Sequence, residues 1–446
     1  MPTYNIDIKK SYNIPSNIAV IRHNNKILVI DSERANWIVL DSDLQLNVFK
    51  TFQRGTSIEC VLESYKYDDA DVRYVVTQIE AKQFYETVSD PRPKDSTLHF
   101  YLTNRCNLSC PHCYMFSGMP INSELETNEI KTVLNDFAKI GEGRIVTFSG
   151  GEPTIRKDFE EILEYAYRLG LEIKLMTNGT TLPSERIAIL SRYLSSVQIS
   201  IDGFSEETNA EIRGHGSFQK SLDTVDTFIA NDVYTSIAIT PKINTLIENS
   251  GKYATFAQEL ESRYEGKAFE LRISEELLNG RCITDAKSIN VDYGKAVANL
   301  MREIYGEDYK IMEFVKMLTD NSIIDNCAFG GLTIAANGDV FLCPRINDLK
   351  PVGNVRTDPF KELLKKATFV EEFTNVRYLH PCGECELRYI CGGGCRIEEF
   401  PHLVSDELPN IKSEYDSNCR ICNSTFKNKF YDLMIDSNEY FYKELE

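Results

Sequence analysis

The chain opens on a stretch in which apolar and polar residues alternate. In IAVIRHNNKILVIDS, residues 18–32, the alternation runs on both sides of His23-Asn24-Asn25 and predicts a β-hairpin that turns there. A helical period follows, because Val72, Val75, Val76 and Ile79 have the three-and-four spacing of a buried stripe. Asp69 and Asp71 are candidate caps of that helix. We therefore predict that residues 1–90 form a separate domain of hairpin plus helices.

The middle of the chain alternates short apolar runs with helical segments. SDPRPKDST, residues 89–97, interrupts any regular element and predicts a linker. Six strand-like runs follow it: HFYLTNRC, RIVTFSG, EIKLMTN, SVQISIDG, TSIAITP and AFELRIS. In a helix between two of them, Phe159, Ile162, Leu163 and Ala166 share one face and Gly170 is a stop signal. This rhythm predicts a parallel α/β sheet over 91–310, with functional residues at the carboxyl ends of its strands.

Composition and charge narrow the class of protein. A chain of 446 residues allows two or three domains. Its net charge of −18 disfavours nucleic acid as a partner. No apolar run is long enough to cross a membrane, and the start, MPTYNIDIKKSYN, lacks a secretory pattern. We expect a soluble cytoplasmic protein without disulfides and without a membrane partner.

The 13 cysteines are unevenly placed. Three lie at 106–113 and eight at 327–422, while Cys60 and Cys282 stand alone and are predicted to be packing residues. Two dense groups in a reducing compartment indicate metal sites, because thiolates are soft ligands for zinc and iron–sulfur clusters. We assign the second group to a third, cysteine-rich domain at 311–446.

Cys106, Cys110 and Cys113 follow the first strand of the predicted parallel sheet. A [4Fe–4S] cluster takes four ligands, so three cysteines leave one iron open to a small molecule. The alternative is a zinc site with His112 as the fourth ligand.

Three further motifs end the next strands, and together they carry a family resemblance. SGGEP, residues 149–153, ends the second strand, TNG, residues 177–179, ends the third, and SIDG, residues 200–203, ends the fourth. With CxxxCxxC this order resembles the radical S-adenosylmethionine (SAM) enzymes, which implies a partial (β/α)6 TIM-like barrel core. The resemblance implies that SAM binds the open iron, that Glu152 meets its ammonium, and that Arg213 neutralises its carboxylate. Residues assigned to SAM on this basis are Tyr114, Gly150, Gly151, Glu152, Asn178, Ser200 and Arg213.

The later cysteines resemble the SPASM extension of radical SAM enzymes, with a hairpin at Asn337-Gly338 delivering Cys343. A zinc ribbon at Cys382 and Cys385 is the alternative. The resemblance implies two auxiliary [4Fe–4S] clusters, hence three clusters in the chain. The first would use Cys327, Cys343 and Cys395. The second would use Cys382, Cys385, Cys391 and Cys419. The missing ligand of the first cluster is Cys422, another residue, or an open position that binds a substrate thiolate. Cys419 and Cys422 could also exchange roles.

Residues 1–90 resemble the PqqD-like winged helix of enzymes that mature ribosomally made peptides. This implies a precursor peptide whose leader adds as a strand to the hairpin edge. The alternative is a structural or dimerisation domain. The function implied is cleavage of SAM to a 5′-deoxyadenosyl radical, with flavodoxin or ferredoxin as electron donor, and hydrogen abstraction from the peptide. A thioether from cysteine sulfur to carbon is the expected cross-link. The alternatives are oxidation of Cys or Ser to formylglycine, as in anaerobic sulfatase maturation, and a non-catalytic electron carrier.

Overall fold

The computed structural model describes residues 7–64, 67–85, 96–140, 144–320, 322–399 and 424–443. The chain divides into two compact units. The first unit takes residues 1–91, 308–329 and 372–446, and the second takes 92–307 and 330–371. The cysteine-rich part of the chain therefore contributes to both units, and the predicted linker at 89–97 lies largely outside the described residues.

The elements are as follows in chain order. The strands are β1 Ile18–His23, β2 Lys26–Asp31, β3 Asn36–Leu40, β4 Ser96–Thr103, β5 Arg144–Gly150, β6 Glu172–Thr177, β7 Ser196–Ser200, β8 Tyr234–Ile239, β9 Phe269–Ile273, β10 Leu332–Ile334, β11 Asp339–Phe341 and β12 Gly353–Asn354. The helices are α1 Asp43–Gln53, α2 Ile58–Glu63, α3 Asp69–Ala81, α4 Thr127–Ala138, α5 Phe159–Arg168, α6 Ser184–Leu190, α7 Glu206–Arg213, α8 Phe218–Ala230, α9 Ile243–Glu248, α10 Ser250–Arg263, α11 Ala286–Tyr305, α12 Tyr309–Asp320, α13 Phe360–Phe373, α14 Arg388–Cys391, α15 Arg396–Glu399 and α16 Ser424–Lys443.

The predicted hairpin is confirmed as β1 and β2. Its two turn residues, Asn24 and Asn25, have φ of 46° and 60°, the left-handed conformation that tight hairpin turns require. The cap of α3 differs from the prediction, because Asp68 accepts a hydrogen bond from the Ala70 amide at 3.1 Å. Asp69 and Asp71 lie in the first turn of the helix instead, where their negative charges interact favourably with the positive end of the helix dipole.

The three-stranded sheet β1-β2-β3 of the first unit is covered on both faces. Helices α1, α2 and α3 pack on one face. On the other face the side chains of Leu28, Trp37 and Val39 pack with Met434 of α16. The Trp37 indole donates a hydrogen bond to the Met434 carbonyl at 3.0 Å. Strand β3 is therefore buried along its whole length, and the sheet buries apolar surface on two sides.

A lysine is buried beside this sheet. Lys82 is 6% exposed, and its ammonium donates to Asn438 while lying 5.5 Å from the Phe441 ring centroid. Burial lowers the pKa of Lys82 from its ordinary 10.5 to about 7. Between these two values the unfolded chain holds a proton that the folded chain lacks, so this group makes stability rise with pH there. Below pH 7 both states are charged and the whole burial penalty remains.

We expect Lys82→Met to stabilise the first unit at pH 7, by about 2–4 kcal/mol after the lost hydrogen bond and cation–π contact. The gain should shrink at pH 9.5, where folded wild-type Lys82 is already neutral. Urea unfolding followed by the fluorescence of Trp37, the single tryptophan of the chain, measures this. Lys50→Met, at an exposed position of α1, is the control. Equal gains at the two pH values would contradict the prediction.

The predicted parallel sheet is confirmed in the second unit. Strands β4, β5, β6, β7, β8 and β9 are neighbours in that order and all parallel. The buried face of α5 is Phe159, Ile162, Leu163 and Ala166, as the spacing indicates. The sheet continues beyond β4, where β10 adds in parallel and β11 and β12 add antiparallel. The sequence did not predict this extension, which gives nine strands in all.

The hairpin predicted at Asn337-Gly338 is confirmed between β10 and β11. Gly338 has φ of 88°, and its amide donates to the Ala335 carbonyl at 2.9 Å. Cys343 follows β11 by two residues. Across the stretches that the structure describes, every helix is too short or too polar to serve as a membrane span.

Candidate cofactor site

The loop that carries Cys106, Cys110 and Cys113 leaves the carboxyl end of β4. Its start is tied to its end, because the Cys106 amide donates to the Gly118 carbonyl at 3.1 Å. The Gly118 amide in turn donates to the Asn104 carbonyl at 2.9 Å. All three thiols are free and partly exposed. The loop is thus closed at its base and presents the thiols at the edge where a sheet of this type binds its ligands.

The glycines of SGGEP hold this loop. The Gly151 amide donates to the Thr103 carbonyl at 2.8 Å, and the Glu152 amide donates to the Arg105 carbonyl at 2.7 Å. A Cβ on Gly151 would lie 2.5 Å from the Arg105 carbonyl carbon, and a Cβ on Gly150 would overlap the Thr103 carbonyl. The close approach that needs these glycines is therefore to the backbone that precedes Cys106.

Glu152 is fully buried and its carboxylate joins two strand ends. It accepts hydrogen bonds from the Thr154 hydroxyl at 2.6 Å, the Thr177 hydroxyl at 2.7 Å and the Asn178 amide at 2.8 Å. Burial raises the pKa of Glu152, while these hydrogen bonds favour its charged form. The carboxylate thereby fixes the TNG turn after β6 relative to the turn after β5.

The TNG turn reaches the cysteine loop through Asn178. Its side-chain amide donates to the Asn107 side-chain oxygen at 2.9 Å and lies 4.0 Å from the Cys106 sulfur. Ser200 is the last residue of β7, at the same edge of the sheet. The structure brings these predicted residues to one edge of one sheet, and their contact with SAM stays a prediction.

Arg213 forms an ion pair below the loop. Its Nε lies 2.6 Å from a carboxylate oxygen of Asp202, and its side chain is 10% exposed, which excludes a free surface arginine. His112, inside the cysteine loop, has its Nε2 3.4 Å from the same Asp202 oxygen. Asp202 is fully buried and also accepts from the Thr240 amide at 2.9 Å. Asp202 thus links Arg213 to His112 of the cysteine loop. It lies within SIDG, but nothing in the spacing of that motif indicated its partners.

Tyr114 links the cysteine loop to the hairpin that carries Cys343. Its hydroxyl lies 2.8 Å from that of Tyr101, which donates to the Pro344 carbonyl at 2.7 Å. Burial raises the pKa of Tyr114 to about 12, so the phenol is neutral at physiological pH. Tyr114 is half-buried, and its assignment to SAM stays a prediction.

A segment before α11 lies against the same loop. The Arg281 amide donates to the Cys113 carbonyl at 3.2 Å, and the Cys282 amide donates to the Pro111 carbonyl at 2.7 Å. A Cβ on Gly280 would lie 2.8 Å from the His112 carbonyl oxygen. The prediction that Cys60 and Cys282 are packing residues is wrong, because both are exposed. The backbone of Cys282, rather than its thiol, holds the cysteine loop in place, through the hydrogen bond to Pro111.

The donor set fits an iron–sulfur cluster. Burial raises the pKa of Cys106 to about 11 and also that of Cys110, while the Arg213 charge lowers the pKa of Cys110. A thiol so disposed becomes a thiolate when a metal offsets the charge. Among described residues, no three His, Cys, Asp or Glu side chains converge as a single metal ion requires. A cubane cluster instead takes each thiolate on a different iron, so three spaced thiols are suitable ligands for it.

Cysteines of the predicted second auxiliary set share one cavity in the first unit. The cavity has a volume of about 20 Å³ and is lined by Cys382, Cys385, Cys391, Leu387, Arg388, Gly393, Phe426 and Lys427. Lys427 donates to a Glu386 carboxylate oxygen at 2.9 Å, and its charge acts on Cys385. Three soft ligands that line one space together with the cations Arg388 and Lys427 fit an anionic cluster.

The other predicted cluster ligands lie partly in the first unit, partly in the second unit and partly outside the described residues. A hydrogen bond from the Cys395 thiol lowers the pKa of Cys327, and both lie in the first unit. Cys343 belongs to the second unit, so its part in the same cluster stays a prediction. Cys419 and Cys422 lie outside the described residues.

Comparison with known proteins agrees with this geometry. The radical SAM superfamily model matches residues 100–245, and the SPASM model, described as an iron–sulfur cluster-binding domain, matches residues 326–386. Residues 100–245 therefore match a radical SAM core and residues 326–386 match a SPASM domain, as the motifs implied.

Its relatives include the mycofactocin maturase MftC of Mycobacterium ulcerans, 29% identical over 325 residues that cover 68% of this chain and 83% of the relative. The AdoMet-dependent heme synthase of Oleidesulfovibrio alaskensis is 29% identical over 352 residues, covering 72% of this chain and 89% of the relative. The solved structure of native anSMEcpe with bound AdoMet and Kp18Cys peptide has a TM-score of 0.57 at 19% identity, over 78% of this chain and 100% of that one. At that identity the likeness concerns the fold.

Proposed function

We propose that this protein cleaves SAM reductively to methionine and a 5′-deoxyadenosyl radical, and that the radical removes a hydrogen atom from a ribosomally made precursor peptide. The observation that carries the proposal is the cysteine loop held between SGGEP, TNG and the Asp202–Arg213 pair at one sheet edge. When bound to Cys106, Cys110 and Cys113, a [4Fe–4S] cluster supplies the electron and an open iron for SAM.

The chain's own residues bind and orient the substrate in this scheme. The Arg213 guanidinium, neutralised on one side by Asp202, offers its remaining N–H groups to the methionine carboxylate. Glu152 holds the TNG turn and with it Asn178. It therefore acts on SAM in two ways, through its negative charge on the SAM ammonium and by positioning Asn178. Tyr114 and Ser200 line the space for the adenosine end of SAM. Flavodoxin or ferredoxin is the proposed electron donor.

The peptide part of the proposal rests on the first unit. Strand β1 pairs only with β2 in the described sheet, and its Val20 is 39% exposed. The opposite edge is occupied by side chains, since the Val39 amide donates to Gln78 at 3.4 Å and its carbonyl accepts from the Tyr74 hydroxyl at 3.2 Å. A leader strand adding to β1 would complete a PqqD-like recognition domain. Similarity to a protein named a maturase supports this assignment.

The cross-link we propose is a thioether between a cysteine sulfur and a carbon of the peptide. Hydrogen abstraction leaves a carbon radical, and bonding of the thiol sulfur to that carbon releases one proton and one electron. Residues Cys327, Cys343 and Cys395 would hold an auxiliary cluster able to accept the electron, and Cys382, Cys385, Cys391 and Cys419 a second one. Cys422 remains the candidate for the fourth ligand of the first.

The test is anaerobic. The chain is reconstituted with iron and sulfide, metal is counted, and 5′-deoxyadenosine is measured from SAM under reduction with short cysteine-containing peptides encoded beside the gene. We expect about twelve irons per chain, deoxyadenosine, and a peptide that has lost two hydrogens. Cys106/Cys110/Cys113→Ala should lose deoxyadenosine, whereas Cys60→Ala, an exposed thiol outside the site, should retain it. Zinc in place of iron would refute the proposal.

Two products would keep SAM cleavage but change the substrate class. A peptide carrying formylglycine would indicate sulfatase-type maturation. Turnover of a porphyrin, with every peptide inert, would indicate a role like that in the name of the heme synthase relative.

A further inference from the structure

Arg396 lies directly after Cys395 and is fully buried in the first unit. Its Nε donates to the Thr374 carbonyl at 2.8 Å. One terminal nitrogen donates to two carbonyls of the preceding turn, Gly392 at 2.9 Å and Gly394 at 2.6 Å. The other is 3.4 Å from the Asp325 carbonyl oxygen. The guanidinium is thus held on several sides by backbone oxygens.

The segment between Cys391 and Cys395 is shaped around this side chain. Gly392, Gly393 and Gly394 have φ of 69°, 75° and 71°, three consecutive left-handed residues that only glycine adopts without strain. This conformation turns the Gly392 and Gly394 carbonyls to the same nitrogen of Arg396. A Cβ on Gly393 would lie 3.4 Å from that nitrogen and 3.6 Å from the Cys382 sulfur. The spacing of the two cysteines therefore depends on the arginine.

Arg396 lies close to members of both predicted auxiliary ligand sets. It follows Cys395 directly, it donates to the Gly392 and Gly394 carbonyls in the segment after Cys391, and a Cβ on Gly393 would lie within 3.6 Å of both its terminal nitrogen and the Cys382 sulfur. Cys382 and Cys391 line the cavity described above. Cys327 and Cys395 are hydrogen-bonded to each other. One buried cation therefore faces members of both predicted auxiliary ligand sets.

We propose that Arg396 is a positioning residue shared by the two auxiliary iron–sulfur sites, which sets the Cys391–Cys395 segment and raises the reduction potential of both clusters. The inference rests on the proposed function, because that function supplies the clusters. Reduction adds an electron to an already anionic centre, and a buried positive charge favours the more negative state in a low-dielectric interior. A guanidinium suits this position because it is always charged and presents donors in several directions.

The test uses the full chain with Cys106/Cys110/Cys113→Ala as background, so that only auxiliary clusters contribute. In this background Arg396→Met and Arg396→Lys are compared by iron content, by electron paramagnetic resonance of the reduced clusters and by redox titration. Arg377→Met is the matched control, since Arg377 belongs to the same unit but is 51% exposed beside Glu33.

We expect Arg396→Met to lower the iron content and to shift both potentials to more negative values. Arg396→Lys should keep the potentials near the parent values but still lose iron, because a lysine ammonium does not reproduce the bonds to Gly392 and Gly394. The control should match the parent. Parent-like iron and potentials in Arg396→Met would overturn the proposal, as would a shift confined to one cluster. If Arg396→Met is insoluble, full iron loading of Arg396→Lys would overturn the positioning role.

These results distinguish a failure of the Arg396 proposal from a failure of the proposed function. A background chain that takes up no iron would refute the auxiliary clusters themselves. A background chain that loads normally, with Arg396 variants that behave like it, would refute only the role of Arg396.

Discussion

Replacing Gly151 with alanine is expected to slow SAM cleavage on the order of a hundredfold. The added methyl group would lie 2.5 Å from the Arg105 carbonyl carbon and 2.8 Å from the Asn104 carbonyl oxygen. Both are backbone atoms, so the clash is relieved only if the strand end or the loop moves by an ångström or more. That movement breaks the Gly151–Thr103 and Glu152–Arg105 hydrogen bonds and displaces Cys106. A displacement of this size near reacting groups costs on the order of a hundredfold in rate.

The measurement is deoxyadenosine formation together with iron content per chain. Gly294→Ala is the matched control, because Gly294 lies within α11 and a Cβ there meets only the Glu275 carbonyl oxygen, at 3.9 Å. Alanine favours a helix interior over glycine, so the control should be at least as stable as wild type. A Gly151→Ala variant with full iron loading and wild-type turnover would show that the loop tolerates the shift.

Ending the chain before Ser424 is expected to unfold the first unit. Helix α16 covers the sheet face that contains Leu28, Ile30, Trp37 and Val39, and Tyr431 and Met434 pack on it. Without the helix this face would expose an apolar patch of the kind that drives aggregation. Met434→Ala is a milder change to the same packing. It should lower the free energy of unfolding by about 2–5 kcal/mol because a fully buried side chain is removed.

The fluorescence of Trp37 reports the effect of both the truncation and Met434→Ala. Its emission should shift to the red in the truncated chain, because the indole is fully buried and bonded to the Met434 carbonyl in the intact one. Lys429→Ala, on the exposed side of the same helix, should leave stability within about 0.5 kcal/mol of wild type. A truncated chain with unshifted emission and wild-type urea midpoint would mean that another segment covers this face.

Local patterns in the sequence predicted much of this fold. The alternation around Asn24-Asn25 predicts β1 and β2, and the six apolar runs predict β4 to β9, because period and turn chemistry are properties of neighbouring residues. The cysteine, glycine and TNG motifs were placed at strand ends for the same reason. Their meeting at one edge follows from the parallel order of the strands.

Contacts between distant segments were not predictable in this way. The turn at Asn337-Gly338 predicted the hairpin of β10 and β11, but not that β10 pairs with β4 across more than two hundred residues of sequence or that β12 extends the sheet. Strands of two or three residues are too short to show a period. The amphipathic pattern of α16 does not specify that it covers the sheet β1-β2-β3. The Asp202–Arg213 pair and the Arg396 turn depend on backbone geometry that residue types alone do not encode.

The added strands change the position of β4 in the sheet. A six-stranded sheet would have left β4 at one edge, but β10 pairs with it on one side and β5 on the other. Amide protons paired on both sides of a strand exchange with solvent only when a larger part of the sheet opens, whereas edge strands such as β9 and β12 open alone. We therefore expect the cysteine loop to grow from one of the slowest-exchanging strands of its unit, with its base protected from fraying at the sheet edges.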